Sequence, residues 1–415
     1  MKIVLVRPPF MDPRAGPPIG LAYLSNVLKN EGHNVSIYDI NLDVKKNTAT
    51  LMDDYNRDFV LPDNHPAVEY AYSRIEDYCD AILSRAPDVV GFHLSYPTVD
   101  FGNEMARRIS RHVKCIAGGP HTTYYQQRLL NPGYYDAIVV GYGEEGVLEA
   151  IKKNGVIRKS LNRHKEYFPD FTDCSIEDYY GALPVVTTRG CPNRCNFCTS
   201  NYPYFFHSIE SVVKQFKEIP NIKRVTYNDP NINVNARRTE ELFTRLAQLQ
   251  QKPFGHIFGL QIKEGYERYI PQMADAGVRE ARLGVESGSI RERKSMNKVE
   301  FSNSLVLDFV KCLTTHKIMA VVQLIFCYPD QTENDRKETL QLMNRINNEC
   351  DTNFVKYNWF KFVVHHGTEE LFKKKYGVVT TSPRNWENSL YSNKKIEEIK
   401  EKYSGLIPQN ATIYL

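Results

Sequence analysis

Gly190-Cys191-Pro192-Asn193-Arg194-Cys195-Asn196-Phe197-Cys198 places three cysteines within eight residues, spaced C-x3-C-x2-C, and the next cysteine along the chain is Cys312. A structural zinc site normally closes its coordination sphere with four protein ligands. A four-iron cluster held by only three thiolates leaves one iron open to a small molecule. Pro192 and Asn193 favour a tight turn, which lets the three sulfurs converge. The run Leu183-Pro184-Val185-Val186-Thr187-Thr188 is strand-like and delivers this loop at its end. Beyond it, strand patterns at 222–226, 254–259, 278–283, 318–326 and 353–363 alternate with helix patterns at 207–218, 237–250, 265–276, 301–316 and 333–347, and a last helix follows at Thr368–Phe372. Six strand–helix units predict a partial barrel, with its chemistry at the carboxyl ends of the strands.

Upstream of the loop the same alternation occurs five times. Strands are expected at 2–6, 35–39, 88–93, 113–117 and 136–140, with helices at 18–30, 67–84, 99–111, 122–130 and 144–153. That order predicts a parallel sheet covered on both faces, binding its ligand beyond the strand ends. The residues there are distinctive: Arg7-Pro8-Pro9-Phe10, His93-Leu94-Ser95-Tyr96-Pro97, Gly118-Gly119-Pro120-His121 and Gly141-Tyr142-Gly143-Glu144-Glu145. A dinucleotide fingerprint, G-x-G-x-x-G after the first strand, is absent from the proline-rich first loop.

Composition is that of a globular protein large enough for two domains: 415 residues, 42% hydrophobic, 25% charged. A net charge of +4 is small for this length and argues against nucleic acid as a partner. No apolar run reaches membrane-spanning length and no signal-peptide pattern opens the sequence, so a cytoplasmic protein without a membrane partner is expected. Cys79, Cys115, Cys174, Cys312, Cys327 and Cys350 are scattered and read as thiols of a reducing compartment.

The strand ends of the first half resemble those of a cobalamin-binding domain. The resemblance implies that Ser95, Gly118, Gly119, His121, Gly141, Gly143 and Glu144 line a cobalamin site. The usual Asp-x-His-x-x-Gly after the first strand is missing, and no histidine precedes His33. The domain thus resembles the subset found beside radical enzymes, whose first loop gives cobalt no histidine. The corrin's lower face would meet loops around Met11–Arg14 and Ser95–Pro97, with His65 and His93 left open as other ligands.

The second half resembles a radical S-adenosylmethionine (SAM) enzyme, whose signature is the cysteine motif with an aromatic residue, here Phe197, before its last cysteine. The resemblance implies a [4Fe–4S] cluster on Cys191, Cys195 and Cys198, with SAM on the open iron and Phe197 by the adenine. It also implies SAM contacts from Asp229, in Tyr227-Asn228-Asp229-Pro230, and from Glu286 and Ser287, in Gly284-Val285-Glu286-Ser287-Gly288. Two places depart from the family pattern. Cys327-Tyr328-Pro329-Asp330-Gln331-Thr332 replaces Gly-x-Pro-Gly-Glu-Thr, and Gln261 or Lys263 stands where an arginine is expected. His365-His366-Gly367-Thr368 resembles a Gly-Thr turn of cobalamin-dependent members, and the adjacent histidines would point opposite ways on a strand.

The expected architecture is therefore α/β. A Rossmann-like, doubly wound cobalamin-binding domain spans 1–155 and an ordered linker 156–182. A partial (β/α)6 radical SAM barrel spans 183–376, and a tail over the barrel, with one charged helix at about 393–403, spans 377–415. What the resemblance implies is methylation of an unactivated carbon of a small molecule or natural-product intermediate, through a 5′-deoxyadenosyl radical and methylcobalamin in a shared cavity. An external donor such as flavodoxin or ferredoxin would supply electrons. The alternatives are radical cyclisation, oxidation or ring rearrangement with the same cofactors and, more remotely, a cobalamin- or zinc-binding regulatory module. A methylthiotransferase would carry three more cluster cysteines in the first domain, where only Cys79 and Cys115 occur.

Overall fold

In the computed structural model, residues 1–10, 16–48, 61, 64–162, 164–200, 203–365, 367–380 and 386–414 are described. The loop Met11–Arg14 and His366 lie outside them. The chain divides into two compact units, Met1–Pro184 and Val185–Leu415.

The first unit is a six-stranded parallel sheet. Its strands are β1 (Lys2–Arg7), β2 (Asn34–Asp39), β3 (Val89–His93), β4 (Lys114–Gly118), β5 (Ala137–Val140) and β6 (Gly155–Arg158), in the order β2-β1-β3-β4-β5-β6. Ile3, Val4, Leu5 and Val6 are all buried, as a central strand covered on both faces requires. One face carries a core built with Val4, Val90, Ala117, Met105 and Ile75, and the other a core built with Ile3, Leu5, Leu28 and Val147. The winding direction reverses between β1 and β3, which puts the ligand-binding crevice of such sheets at their carboxyl ends. The sequence reading assigned 156–158 to the linker. These residues belong to β6, which pairs with β5 in parallel from Ala137↔Gly155 to Val140↔Arg158.

The linker that follows is tied down by polar contacts. Lys29 meets Asp170 at 2.6 Å, and Tyr167 donates to Glu145 at 2.6 Å. The Tyr179 hydroxyl donates to Asp39, the carboxylate that also holds Arg7 through Nε and Nη2 at 2.9 and 2.6 Å.

The second sheet runs β17-β14-β13-β12-β11-β10-β7. These strands are β7 (Ala182–Val185), β10 (Arg224–Tyr227), β11 (Phe254–Leu260), β12 (Val278–Glu286), β13 (Met319–Phe326), β14 (Val355–Lys361) and β17 (Ala411–Tyr414). A small hairpin, β8 (Thr188–Arg189) with β9 (Phe205–Phe206), frames the cysteine loop. A second hairpin, β15 (Val379–Thr380) with β16 (Trp386–Glu387), lies in the tail. Six of the seven strands are the expected ones. The seventh, β17, is contributed by the tail and pairs with β14 in parallel.

Helices of this unit start on residues suited to the task. Ser208, Asn235, Ser289, Ser302, Thr332 and Ser392 each accept a hydrogen bond from the first turn, and Thr332 closes a capping box with Asp335. Helices Ile270–Asp275, Asn303–Thr315 and Asn393–Ser404 pack on strands β12, β13 and β17, against a face built from Ala281, Leu283, Val322, Leu324, Trp359 and Ile413. The tail also folds over the ends of β13 and β14. Trp386 is buried and donates to Phe362 O at 2.8 Å, and Asn388 donates to Pro329 O at 2.9 Å.

Candidate active site

The cysteine loop leaves β8 through Gly190, whose φ of 66° lies in the left-handed region. Cys195 is buried, while Cys191 and Cys198 are half-buried, and all nine cysteines are unbridged. The loop is pinned to the segment that follows the short helix Ile290–Ser295. Asn196 donates from N to Met296 O and from Nδ2 to Ser295 O, both at 2.9 Å, and Asn297 Nδ2 donates to Arg194 O at 2.7 Å. Two N–H groups approach the sulfurs: Ser200 N at 3.4 Å from Cys198 Sγ, and Asn231 Nδ2 at 3.8 Å from Cys191 Sγ. Burial pushes the Cys195 thiol up to about 11, against the opposing pull of the Lys298 charge. Among the described residues no three His, Cys, Asp or Glu side chains are gathered tightly enough for a single ion. A cluster of four irons is larger than an ion and spreads its thiolates farther apart.

Asp229, at the end of β10, is buried. Its Oδ1 accepts from Thr187 N at 2.8 Å, from Thr188 N and from Thr188 Oγ1 at 2.8 Å, so one oxygen locks the strand that delivers the cysteines. Its Oδ2 is buried without a partner, as are Asn231 Oδ1 and Thr187 Oγ1 close by. Burial raises the Asp229 carboxyl to about 6, although the Thr188 and Thr187 hydrogen bonds pull it down. Buried polar atoms are nearly always paired in native proteins. Three orphaned oxygens together, one of them on a carboxylate, suit an ammonium or hydroxyl donor of a bound ligand.

A β-bulge between Gly284 and Glu286, and a φ of 66° at Glu286, re-aim this carboxylate at the end of β12. It meets Lys298 Nζ at 2.9 Å, with both side chains largely buried. Burial works against the Lys298 charge, but Glu286 and then Cys195 and Cys198 raise its pKa above the usual lysine value. Lys298 thus stands among the carboxylate and two cysteines of the loop, Cys195 and Cys198. A buried carboxylate needs a cationic or N–H partner, and for Glu286 the chain itself supplies a cation. Ser287, expected beside Glu286, is turned elsewhere. Its hydroxyl lies 3.2 Å from Thr339 Oγ1 and accepts from Ser289 N at 3.0 Å, so it braces the helix at 290 instead. That helix is capped by Ser289. Phe197 is half-buried.

Gln261 takes part in the site. Its Oε1 accepts from Asn231 Nδ2 at 2.7 Å, and its backbone N donates to Asn233 Oδ1 at 2.8 Å. Gln331, one of the departures from the family pattern, is a structural hub. It donates to Glu292 Oε1 at 2.8 Å and accepts from Cys327 N at 2.9 Å. Sequence reasoning missed Lys298 and Asn231. The available signals were a lone lysine twelve positions after Glu286 and an asparagine two positions after Asp229.

In the first unit, Ser95, Gly118, Gly119, His121, Gly141, Gly143 and Glu144 sit at or just beyond the carboxyl ends of β3, β4 and β5. A Cβ on Gly118 would meet nothing closer than Val139 at 3.9 Å, and one on Gly141 would meet nothing within 4 Å. Those two ends are open, as a bulky ligand needs. Gly119 and Gly143 serve the protein itself: a Cβ there would come within 2.6 Å of Leu94 O and 3.0 Å of Leu24. Ser95 is pinned by Thr98, whose Oγ1 accepts from Ser95 N at 2.9 Å. His121 N donates to Leu94 O at 3.1 Å, and its ring lies 4.8 Å from that of Tyr125. Glu144 is buried. His65 caps the helix Pro66–Ser73 by accepting from Ala67 N at 3.1 Å. His93 lies under Gly119, and burial with the Arg7 charge lowers it to about 4.

A doubly wound sheet with glycine-opened strand ends, followed by a parallel barrel sheet with three cysteines at its mouth, defines a two-domain, two-cofactor class of enzyme. Comparison with known proteins places the chain within it. Residues 13–151 match the B12 binding domain and residues 185–343 the radical SAM superfamily. The chain is thus a radical SAM enzyme with a B12-binding domain. It is 24% identical over 391 residues to an uncharacterized methyltransferase of Pyrococcus horikoshii, covering 83% of this chain and 78% of that protein. It is 21% identical over 375 residues to cytidylyl-2-hydroxyethylphosphonate methyltransferase of Streptomyces wedmorensis, covering 73% of this chain and 68% of that one. Its fold is similar to the radical SAM methyltransferase TsrM from Kitasatospora setae, solved with cobalamin and a [4Fe–4S] cluster (TM-score 0.67, 14% identity, 86% of this chain and 71% of that one). It is also similar to the cobalamin-dependent radical SAM enzyme OxsB, solved with aqua-cobalamin (TM-score 0.68, 17% identity, 96% and 56%). Among the described residues no helix is long and apolar enough to cross a membrane.

Proposed function

We propose that this enzyme is a cobalamin-dependent methyltransferase that adds a methyl group to an unactivated carbon of a small molecule. One observation carries the reading: the orphaned oxygens of Asp229, Asn231 and Thr187 beside a three-cysteine loop, on a chain that also has a B12-binding domain. The likeness to two proteins named as methyltransferases, one of them uncharacterized, supports the same choice.

Cys191, Cys195 and Cys198 would hold the [4Fe–4S] cluster, with the N–H groups of Ser200 and Asn231 directed at its thiolates. Asp229 Oδ2 would accept from the SAM ammonium, while Glu286 and Lys298 offer a paired anion and cation to its amino-acid end. Phe197 would lie by the adenine. The open ends at Gly118 and Gly141, with Ser95 and His121 beside them, would seat the corrin. When bound, the cluster supplies the electron that cleaves SAM and the corrin carries the methyl group. The chain's own residues bind, orient and exclude water. Flavodoxin or ferredoxin would deliver the electron.

Cys195→Ala tests the cluster assignment: it is expected to abolish both the iron–sulfur absorbance and SAM cleavage. Undiminished 5′-deoxyadenosine formation in that variant would sink it. Product mass tests the reaction type, since methylation adds one methylene and cyclisation, oxidation or rearrangement does not.

A further inference from the structure

The second sheet has one face under helices. The register of its parallel strands places on the opposite face, in successive layers, His256 beside Glu280, then Arg282 beside Val321, then Gly284 beside Gln323. Three side chains of this row are partly exposed: 21% for His256, 19% for Glu280 and 34% for Arg282. Phe258, on the neighbouring strand, is 42% exposed, and the Arg282 guanidinium lies 4.2 Å above its ring. Glu280 accepts from Arg282 Nε at 3.2 Å and meets His256 Nδ1 at 3.4 Å. Arg282 is thereby held in one orientation from below. Among the described residues its two terminal nitrogens have no protein partner. In the next layer up, Gln323 Nε2 is a buried donor without a partner. The space beside Gly284 is taken by the side-chain ends of Glu286 and Lys298, which a Cβ there would meet at 2.9 and 3.0 Å. The row therefore runs directly into the ion pair assigned above to SAM.

Unused donors on a guanidinium and on an amide one layer further along the neighbouring strand are the complement of an oxyanion. An exposed phenyl ring flanking the guanidinium is the complement of a flat or hydrocarbon group. We propose that Arg282 and Gln323 anchor the oxyanion of the substrate and that Phe258 packs against its apolar part. The substrate is then a small molecule carrying a carboxylate or phosphate next to a ring or hydrocarbon segment. This rests on the reading of the barrel as the catalytic domain, and it adds the substrate's chemical class. Glu280 and His256 are positioning residues that fix the guanidinium.

The test is calorimetric binding to the full chain carrying cluster, cobalamin and SAM, with four probes of like size: phenylacetate, phenyl phosphate, 2-phenylethanol and 2-phenylethylamine. The two anions are expected to bind about tenfold tighter than the alcohol and the amine. The tighter of the two anions tells carboxylate from phosphate. Arg282→Gln is expected to erase the preference, Arg282→Lys to restore part of it, and Gln323→Leu to weaken both anions while leaving the preference for charge. Iron–sulfur absorbance on the same samples reports an intact barrel. Equal affinity for anion and alcohol, or an anion preference untouched by Arg282→Gln, overturns the proposal. A protein that prefers the anions but takes up no cluster would instead fault the catalytic reading.

Discussion

Asp229 divides its work between its two oxygens, and that division predicts a pH effect. Oδ1 is saturated by Thr187 and Thr188, while Oδ2 faces a dry site alone. Its carboxyl titrates at about 6 in the folded chain, against 3.8 in the unfolded one. Between those values the folded state holds more proton, so without ligand the protein loses stability as pH rises through that window. An ammonium ligand reverses the sign, because it needs the ionised form. SAM affinity is therefore expected to rise from pH 5 to pH 7 and then level off. Asp229→Asn, which keeps an acceptor for Thr187 and Thr188, should bind SAM weakly and without that slope. Anaerobic calorimetry checks both, and an equal slope in the variant would remove Asp229 from the site. The cysteine triplet was legible in the sequence as a local spacing, and Asp229 only as a strand-end acid through the family resemblance. Lys298 was not, since its meeting with Glu286 depends on the helix Ile290–Ser295 turning the chain back. The bonding of Ser287 to Thr339 and Ser289 was hidden for a related reason. The bulge at Glu286 shifts the phase of side-chain alternation, and no residue pattern marks a bulge formed by a non-glycine residue.

At the scale of elements, the departure at Gln331 finds its reason in the pairing of two helices. Glu292, on Ile290–Ser295, is fully buried, and burial raises its carboxyl to about 8. Its neighbour at 2.8 Å is the Gln331 amide, which lies just before the helix Glu333–Glu349. A glutamate at 331, as in the family pattern, would set two carboxyls face to face. Gln331→Glu is thus expected to cost about 1–3 kcal/mol at neutral pH. The added carboxyl would be held above its ordinary value, so the loss should vanish below about pH 4.5, where it is protonated in both states, and grow as pH rises. Urea midpoints of the variant and parent at several pH values test this; a loss independent of pH would contradict it. The long strands and helices were readable because their apolar periods run over many residues. β6 and β17 were not: each has four residues, and of these only Ile157 and Ile413 are buried. Too short to show a period, both strands are recruited by the sheet edges they extend.

For the whole molecule, what matters is that each unit has its own sheet and its own core. The first ends at Pro184, and the linker's contacts, Lys29 with Asp170 and Tyr179 with Asp39, all belong to it. The second holds every residue assigned above to cluster and SAM: the three cysteines, Phe197, Ser200, Asn231, Asp229, Glu286 and Lys298. Cluster assembly and SAM cleavage should therefore be separable from methyl transfer. A fragment beginning at Gly181 keeps β7 whole and loses the B12-binding domain. It is expected to fold, to take up a [4Fe–4S] cluster anaerobically and to cleave SAM slowly to 5′-deoxyadenosine. It should give no methylated product, even with excess free cobalamin. The parent chain under the same conditions should add the methyl group. If the fragment folds with its cluster but leaves SAM intact, the first domain must complete the SAM site, and the division drawn here between the units fails. If it methylates substrate unaided, the corrin has no part in the transfer.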